Sequence, residues 1–339
     1  MRALEVSHPW GTANLNMVER PDPQPGPGEV VVRMRATSLN FRDAALMRRG
    51  GYTPAPEGSP PYIPFSDGCG VVAAVGPGVA SVAVGDRVST IFYPHWHSGP
   101  PTPQKLRGGL GQPGSPGAGR DLALFPEMAV MRAPDHLTDE EVATLACAAL
   151  TAWRGLFVDA QLAPGDTVVL QGTGGVSIFG LQFAVAAGCR TIITSSSDEK
   201  LERARALGAD VLVNYRTTPE WSRVVREITE GAGADLILEV GGAGTLGESL
   251  KAIRMGGHVA IIGALSSGGA RAELSPAQLI GASARLQGLS CGSREMHAQM
   301  HRAMVQHRIR PVVDRVAPWT EAAKSSTRWG ATPTSGRSC

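Results

Sequence analysis

Hydrophobic residues in the second half of the chain follow two alternating patterns. Short apolar runs such as Val168–Leu170 are typical of buried strands, whereas the stretch beginning near Val176 places apolar residues at helical spacing. The pattern predicts strands at 167–171, 191–194, 211–213, 235–240, 258–262 and 285–290, and helices at 176–187, 198–207, 219–229 and 245–254. Because strands that alternate with helices form parallel sheets, we expect a doubly wound α/β domain.

The first half of the chain has a different pattern. Residues 1 to about 90 contain short strand-like runs, such as Val30–Ala36 and Gly70–Gly76, separated by proline and glycine. This pattern predicts a β-rich domain such as a small barrel. Residues 98–120 are rich in glycine and proline and predict a long exposed loop, and Thr138 with Glu141 predicts the start of a helix by a capping box.

A glycine cluster marks the junction between the first strand and first helix of the α/β half. Gly172, Gly174 and Gly175 follow the strand, and the helix begins near Val176. Small residues there let the backbone approach a pyrophosphate, and the first amides of the helix point at its negative charge. A glycine-rich turn is common by itself, but the strand before it and the apolar helix after it make a dinucleotide-binding site the better interpretation.

The end of the next strand indicates which dinucleotide is bound. NAD-binding domains usually place an acid there to bind the ribose 2′-hydroxyl, whereas this strand runs into Ser195–Ser197 and meets no acid before Asp198. Hydroxyl groups such as that of Ser196, with Lys200 nearby, suit a 2′-phosphate. We therefore expect NADPH, with NADH as the alternative. Ser196 could instead form a capping box with Glu199 for helix 198–207, or serve both purposes.

Composition narrows the class of protein further. The chain has 339 residues, 42% hydrophobic and 18% charged, with a net charge of +2. The hydrophobic and charged fractions are typical of globular proteins, and a net charge of +2 indicates no basic surface for nucleic acid. No apolar run is long enough for a membrane span, so we expect a soluble cytoplasmic protein. The five cysteines form no Cys-x-x-Cys pair and only His95 and His97 lie close together, so no metal site is expected.

Several segments together resemble the medium-chain dehydrogenase/reductase superfamily, and within it the zinc-free quinone-oxidoreductase-like branch of NAD(P)-dependent alcohol dehydrogenases. This resemblance implies a GroES-like catalytic domain over 1–151, to which 293–339 returns, and an NAD(P)-binding Rossmann domain over 152–292. The segments that carry it are Pro25–Val30, Ser38–Asp43, Val84–Val88, Leu150–Trp153, Gln171–Ser177, Ser195–Lys200 and Ala206–Asp210.

The resemblance also bears on zinc and on the reaction. Zinc-dependent relatives have a cysteine at the position of Asn40, a histidine at Ser66 and a four-cysteine lobe where this chain has its Gly/Pro loop. Their absence implies hydride transfer without a metal, which suits quinones and α,β-unsaturated carbonyls because the developing charge spreads over a conjugated system. The alternatives are an alcohol or aldehyde dehydrogenase and a non-catalytic NADPH-binding protein.

The resemblance assigns roles to individual residues. Asn40 and Asp43 match polar positions near the nicotinamide ribose, and Tyr52 matches a tyrosine that donates a proton in similar enoyl reductases. Tyr52 could equally shield the substrate cleft between the domains while solvent supplies the proton. The expected coenzyme contacts are Thr151, Gly172, Gly174, Gly175, Val176, Ser196, Lys200, Tyr215, Val240, Gly241 and Gly263. Relatives commonly form homodimers, and the expected partner is a small carbonyl, enone or quinone substrate.

The chain departs from the family pattern at 324–339, which has neither helical nor strand periodicity. The family ends in a His-Phe-Gly-Lys segment and a closing strand. A shifted reading frame over Pro333–Cys339 can be back-translated to His-Phe-Gly-Lys-Ile-Val. We therefore hypothesise a frameshift that removes the last strand, which resequencing of the 3′ end of the gene tests.

Overall fold

The computed structural model describes residues 1–51, 55–263, 272 and 274–322, and these residues form two units. The first unit contains 1–150 and takes up the chain again at Cys291, and the second contains 151–290. Tyr52 and the hypothesised frameshift at 324–339 lie outside the described residues.

The first unit is built on antiparallel strands. One pair joins β1 (Arg2–Val6) to β2 (Leu15–Glu19). A five-stranded sheet has the order β6-β3-β4-β5-β7. Its strands are β3 (Glu29–Ser38), β4 (Asp67–Val75), β5 (Arg87–Thr90), β6 (Leu122–Pro126) and β7 (Val130–Arg132). All four pairings are antiparallel, which agrees with the β-rich prediction for this half of the chain.

Every strand of the five-stranded sheet contributes to one apolar core, which is fully buried. Alternate residues face this core, as expected for strands with one face toward the interior. The residues are Val30, Val32, Val72, Val88, Phe125 and Val130. A second cluster joins the β1–β2 pair to α1 (Phe41–Arg49) through Leu4, Leu15, Met47 and Phe65.

Only the first part of the Gly/Pro-rich segment 98–120 is exposed, although the sequence pattern predicts an exposed loop throughout. Residues 97–104 lie at the surface, but Leu110, Gly111 and 117–120 are buried. A side chain at Gly111 or Gly117 would overlap the backbone around Phe65, so these glycines allow the loop to pack closely against the unit. The prediction of an exposed loop is therefore wrong for its second half, because glycine there serves close packing.

The second unit is a six-stranded parallel sheet in the order β10-β9-β8-β11-β12-β13. This is the order of a Rossmann fold and confirms the predicted doubly wound domain. The strands are β8 (Thr167–Leu170), β9 (Arg190–Ser195), β10 (Val211–Asn214), β11 (Ala234–Glu239), β12 (Ile253–Ile261) and β13 (Arg285–Gly288).

Helices in the second unit connect and cover the strands. They are α3 (Leu150–Trp153), α4 (Gly175–Ala186), α5 (Asp198–Ala206), α6 (Trp221–Ile228), α7 (Leu246–Ala252) and α8 (Pro276–Ala282). One apolar core takes Val169, Ile192, Val213, Ile237 and Val259 from five adjacent strands and packs Trp221 and Leu246 against them. The predicted helix 245–254 ends earlier, at Ala252, because Ile253 already pairs with Ala234 of β11.

Two helices of the first unit flank the second unit in sequence. The predicted capping box is confirmed, since Thr138 and Glu141 cap α2 (Asp139–Val142) reciprocally. Beyond it, π-helical turns at Leu145–Ala149 and Arg154–Asp159 flank α3. After the second unit the chain continues into α9 (Arg294–Gln306). Within the described residues, no helix is both long and apolar enough to cross a membrane.

Candidate active site and coenzyme site

The glycine loop after β8 leaves open space at the start of α4. Gly172 has φ +71°, a left-handed conformation that favours glycine. Gly174 is the N-cap of α4 and provides no side-chain cap. A Cβ placed on either residue would meet no atom within 4 Å, so open space lies in front of both. The first amides of α4 have no partner within the helix and can bind an anion in that space.

A glycine inside α4 was missed by the sequence analysis. Gly180 lies one and a half turns into α4, where a Cβ would come within 2.9 Å of the methyl groups of Leu170 and Leu238. It therefore lets α4 lie directly on β8 and β11. The last glycine of a G-x-G-x-x-G loop usually has this packing role, but that position is Ser177 here, so the motif spacing did not point to Gly180.

The serine run ends β9 next to the glycine loop. The Gly172 amide donates to Thr194 Oγ1 (3.2 Å), and the Tyr215 amide donates to the Ser195 carbonyl (3.0 Å). These bonds bring together the glycine loop, Ser196 and Tyr215, three of the predicted coenzyme contacts. Lys200 lies in the first turn of α5, with its side chain half-buried.

The capping prediction for α5 is wrong by one residue. Ser197, not Ser196, is the N-cap, and its hydroxyl accepts a hydrogen bond from the Lys200 amide. The helix begins at Asp198, as predicted, and the residue immediately before a helix is its N-cap. Ser196 is therefore released from the cap and remains available for a ligand. Asp198 is engaged locally, since its carboxylate accepts from Asn214 Nδ2 (2.7 Å).

A fully buried carboxylate lies beneath the loops at this edge of the sheet. Glu239, the last residue of β11, accepts five hydrogen bonds of 2.5–2.9 Å. The donors are Gln171 Nε2, the amides of Gly241 and Gly242, and the hydroxyls of Thr245 and Ser249. Gln171 immediately precedes Gly172, so Glu239 ties the glycine loop to the 240–245 loop. The sequence analysis missed it, although an acid in the apolar run Leu236–Val240 was a signal.

The loops that carry Val240, Gly241 and Gly263 lie against each other. A Cβ at Gly263 would overlap the carbonyl group of Val240, and one at Gly241 would overlap the side chain of Thr245. Packing of the two loops therefore already requires both glycines. Thr151, another predicted contact, is buried in α3 at the start of the second unit. Contact of these four residues with a coenzyme remains a prediction.

In the first unit, the predicted catalytic residues Asn40 and Asp43 begin α1. The Asp43 carboxylate accepts from the Asn40 backbone amide (2.8 Å) and from Arg42 Nη1 (3.1 Å). Asp43 is buried, so burial raises the pKa of its carboxyl group while Arg42 opposes the rise. Arg42 also stacks on Phe92, 4.6 Å from the ring centre. Asp43 therefore fixes the position of Asn40 from inside the unit.

A second carboxyl group lies beside Asn40. Asp67 is fully buried and accepts from the Ser66 hydroxyl (2.6 Å) and the Cys147 amide (3.0 Å). Burial raises the pKa of Asp67 to about 7, although the two hydrogen bonds oppose this rise. Asn40 Nδ2 is buried without a hydrogen bond of normal geometry, but the amide lies close enough to both carboxyl groups to lower their pKa.

Two tyrosines of the first unit are relevant to proton transfer. Tyr52 lies outside the described residues, so its role as a proton donor remains a prediction. Tyr62, which the sequence analysis did not consider, is buried and its hydroxyl has no hydrogen-bond partner. Burial, and then the charge of Asp43, raise the pKa of this phenol. It therefore stays protonated at neutral pH.

The donor set around Asn40 does not match a zinc site. Asn40 and Ser66 contribute an amide and a hydroxyl, and the Cys147 thiol contacts another thiol, that of Cys291. Zinc sites in proteins use three or four thiolate, imidazole or carboxylate ligands. In the part of the chain that the structure describes, no three His, Cys, Asp or Glu side chains are grouped so that they could hold a metal ion.

Comparison with known proteins identifies the family. The model of the alcohol dehydrogenase GroES-like domain matches residues 26–135, and that of the zinc-binding dehydrogenase matches 175–306. A zinc-type alcohol dehydrogenase-like protein of Schizosaccharomyces pombe is 40% identical over 299 residues, which cover 87% of this chain and 85% of that protein. The chain belongs to the medium-chain dehydrogenase/reductase superfamily. A 2-haloacrylate reductase of Burkholderia is 34% identical over 242 residues, 70% of this chain and 66% of that protein.

Solved structures of this superfamily match nearly the whole chain. An alcohol dehydrogenase structure from Sinorhizobium meliloti 1021 has a TM-score of 0.86 and 37% identity, covering 98% of this chain and 96% of that one. A mycobacterial protein in complex with NADPH has a TM-score of 0.79 and 29% identity, covering 98% and 97%. A quinone oxidoreductase of Pseudomonas syringae pv. Tomato DC3000 has a TM-score of 0.78 and 26% identity, covering 99% and 98%. This member of the superfamily is an NAD(P)-dependent oxidoreductase.

Proposed function

We propose that the chain is a zinc-independent, NADPH-dependent reductase of quinones or α,β-unsaturated carbonyls. The observation that carries this proposal is the cluster around Asn40, where an amide and a hydroxyl occupy positions that zinc-dependent relatives fill with cysteine and histidine. Among the residues that the structure describes, no three side chains could hold a zinc ion and thereby support a zinc-bound alkoxide. A conjugated acceptor needs no such support, because its own π system delocalises the incoming charge.

The chain's own residues have two tasks in this reaction. Bound NADPH supplies a hydride to an electron-poor carbon. Asn40, fixed by Asp43 at the start of α1, orients the substrate or the nicotinamide ribose through its side-chain amide. Tyr52 or solvent then protonates the reduced substrate, since a phenol with a pKa near 10 can donate to an enolate.

NADPH is proposed over NADH because of the end of β9. Ser196 is free of the helix cap there, and Lys200 lies one turn away at the N-terminal end of α5. Hydroxyl groups, a cation and a helix N-terminus all favour the two negative charges of a 2′-phosphate. Asp198, the first acid in this region, is held by Asn214. A similar protein of known structure binds NADPH, which supports the same choice.

The remaining coenzyme contacts follow from the same edge of the sheet. We propose that Gly172, Gly174, Gly175 and Val176 bind the pyrophosphate, that Tyr215 contacts the adenine ribose, and that Thr151, Val240, Gly241 and Gly263 approach the nicotinamide side. We further propose a cytoplasmic homodimer. Light scattering of the purified protein tests the dimer.

An alcohol or aldehyde dehydrogenase is the second candidate. It is favoured by the names of the Schizosaccharomyces pombe and Sinorhizobium meliloti proteins, with 40% and 37% identity. Asp67 and Cys147 also remain beside Asn40 as two potential metal ligands. This candidate requires turnover of a simple alcohol and dependence of that turnover on a bound metal.

A single set of measurements separates these candidates. Stopped-flow oxidation of NADPH is followed with a panel of quinones, enones and aldehydes, with NADH as the paired control and metal content measured on the same sample. We expect fast oxidation with quinones or enones, preference for NADPH and no effect of chelation. Loss of activity on chelation with recovery on adding Zn²⁺ would establish the alcohol dehydrogenase instead. Tight NADPH binding without turnover of any acceptor would indicate a non-catalytic protein.

The coenzyme preference has its own test in Ser196→Asp. A carboxylate at the end of β9 repels a 2′-phosphate and can accept a hydrogen bond from a 2′-hydroxyl. We expect the KM for NADPH to rise by about tenfold or more, equivalent to 1.4 kcal/mol, while the KM for NADH stays constant or falls. Ser283→Asp, at an exposed position of the same unit, is the matched control and should change neither value.

A further inference from the structure

Two thiols meet inside the first unit at a point that the proposed function does not use. Cys147 and Cys291 are 144 residues apart in sequence, yet their sulfur atoms lie 3.7 Å from each other. A disulfide bond is about 2.05 Å long, so the two atoms are in van der Waals contact and need to approach by less than 2 Å to form one. Both cysteines are reduced in this structure.

The surroundings hold this pair in place. Cys291 is buried with Phe92, Tyr93 and Trp96, and Cys147 packs at the edge of the same apolar cluster, where it is partly exposed. Cys291 has φ +36°, an unusual backbone conformation for a residue with a side chain. Cys147 is fixed through its backbone amide, which donates to Asp67. The other described cysteines, Cys69 and Cys189, have no such thiol neighbour.

The two cysteines lie close in sequence to the two points where the chain passes between the units. The chain leaves the first unit after Leu150 and re-enters it at Cys291, so the thiols lie on the first-unit side of both crossings. A bond between them would close residues 148–290 into a covalent loop that contains the whole second unit. It would also join the segment that carries the Asp67 hydrogen bond to the start of α9.

We propose that Cys147 and Cys291 form an oxidisable dithiol that closes an intramolecular disulfide in reaction with a hydroperoxide. The sulfur of Cys147, which is the less buried residue of the two, attacks one peroxide oxygen and breaks the O–O bond. This gives a sulfenic acid on Cys147, and the leaving oxygen takes the Cys147 thiol proton and departs as water or an alcohol. The Cys291 sulfur then attacks the Cys147 sulfur, the S–S bond forms as the S–O bond breaks, and the departing hydroxide takes the Cys291 thiol proton and leaves as water. The peroxide gains the two electrons that the two sulfurs lose.

The environment also sets the speed of this reaction. The contact with Cys291, followed by burial and the nearby Asp67, raises the pKa of the Cys147 thiol. Because the thiolate is the reactive form, oxidation at neutral pH is slow and accelerates by up to about tenfold for each unit of pH below that pKa.

The test uses the reduced full-length chain, treated with hydrogen peroxide at pH 7.5 and pH 9 and then denatured for thiol counting. We expect the count to fall from five to three, faster at pH 9, with the chain staying monomeric in size on a non-reducing gel under denaturing conditions. Peptide mass spectrometry should find the peptides of Cys147 and Cys291 joined, lighter by two hydrogen atoms. Dithiothreitol should restore five thiols.

Variants separate this pair from general oxidation. Cys147→Ser and Cys291→Ser should each abolish the linked peptide, whereas Cys189→Ser should retain it. Circular dichroism of each variant checks folding, and if Cys147→Ser fails to fold, Cys147→Ala replaces it. A peroxide-treated wild-type chain without the linked peptide at either pH, or an equal loss of thiols in Cys291→Ser, would overturn the proposal. Neither result depends on the coenzyme or substrate.

Discussion

At the scale of single residues, Glu239 explains how the coenzyme edge of the sheet keeps its shape. A buried carboxylate is costly unless hydrogen bonds replace its hydration. Glu239 accepts five of them, from two loops and from α7. The two oxygens of one side chain therefore hold both the glycine loop, through Gln171, and the 240–245 loop, which contains proposed nicotinamide contacts.

Replacement of Glu239 tests this role. In Glu239→Gln one oxygen becomes a donor, which leaves Gln171 and Ser249, or the loop amides, facing an NH₂ group. We expect a loss of about 2–4 kcal/mol in the free energy of unfolding, since hydrogen bonds to a charged group contribute about 1.5–3 kcal/mol each. The Kd for NADPH, measured by fluorescence titration, should rise at least tenfold.

The control for this variant is Glu227→Gln, which neutralises an exposed acid on α6 of the same unit. It should change the free energy of unfolding by less than about 0.5 kcal/mol. Unchanged urea denaturation and unchanged NADPH affinity in Glu239→Gln would show that the five hydrogen bonds do not fix the loops.

At the scale of elements, the N-terminus of α4 begins with a glycine, Gly174, that the packing of the protein does not require. Gly174 has φ −82° and ψ 175°, which any residue adopts, and open space in front of it. We therefore expect Gly174→Ala to keep the thermal unfolding midpoint within about 2 °C, while the Kd for NADPH rises about tenfold because the methyl group occupies the pyrophosphate space.

The matched control is Gly247→Ala. Gly247 lies in α7, and a Cβ there also meets no atom within 4 Å. Alanine in a helix should stabilise the protein by up to about 1 kcal/mol without changing coenzyme affinity. If both variants bind NADPH like the wild type, the pyrophosphate does not lie at Gly174.

The element α9 contains a pair of buried imidazoles. His297 and His301 lie one turn apart, with ring centres 4.4 Å from each other, and neither ring nitrogen of His297 has a hydrogen-bond partner. Burial, followed by the charges of His301 and Arg294, holds the pKa of His297 well below its usual range. Burial likewise lowers the pKa of His301 to about 4. Both rings are therefore neutral in the folded protein at neutral pH.

This pair predicts a loss of stability in mild acid. A lowered pKa in the folded state means that the unfolded chain binds protons first, so stability is fully present above pH 6.5 and falls below it. His297→Leu removes one such group. Between pH 6.5 and pH 5, the free energy of unfolding of the wild type should fall by at most about 2 kcal/mol more than that of the variant. The exposed His307→Leu should track the wild type in the same urea titrations.

At the scale of the whole molecule, the sequence carried the information that is local and periodic. The alternation of strands and helices predicted a parallel, doubly wound sheet, because each element has its own hydrophobic period. The predicted end of β9 was one residue short, because the strand continues to Ser195. Such boundaries depend on pairing, here of Ser195 with Asn214 of β10, which the residues of one strand do not encode.

Contacts between distant segments could not be predicted in this way. Glu239 meets Gln171 across 68 residues, and Asp67 meets Cys147 across 80. The individual residues were visible as an acid in an apolar strand and as scattered cysteines, but their partners depend on how the sheet and helices come together. The Gly/Pro segment 98–120 shows the same limit, since only the structure shows that Gly111 and Gly117 pack against Phe65.

Two sets of buried groups should change the free energy of unfolding with pH, and they act in opposite directions. The histidine pair lowers stability as pH falls, whereas Asp67 acts in the opposite direction. Burial raises the pKa of Asp67 to about 7, so the folded state holds a proton that the unfolded chain releases near pH 4. The associated stability is fully present below about pH 4 and is lost as pH rises through 7.

Asp67→Asn isolates this contribution, because the amide cannot ionise and still accepts one of the two hydrogen bonds from Ser66 and Cys147. As pH rises from 4 to 8, the free energy of unfolding of the wild type should fall by about 2–4 kcal/mol relative to that of the variant. Urea denaturation at several pH values measures this difference, with the exposed Asp135→Asn as the control. A difference that is constant with pH would show that Asp67 is already ionised in the folded protein, and that burial does not raise its pKa into the neutral range.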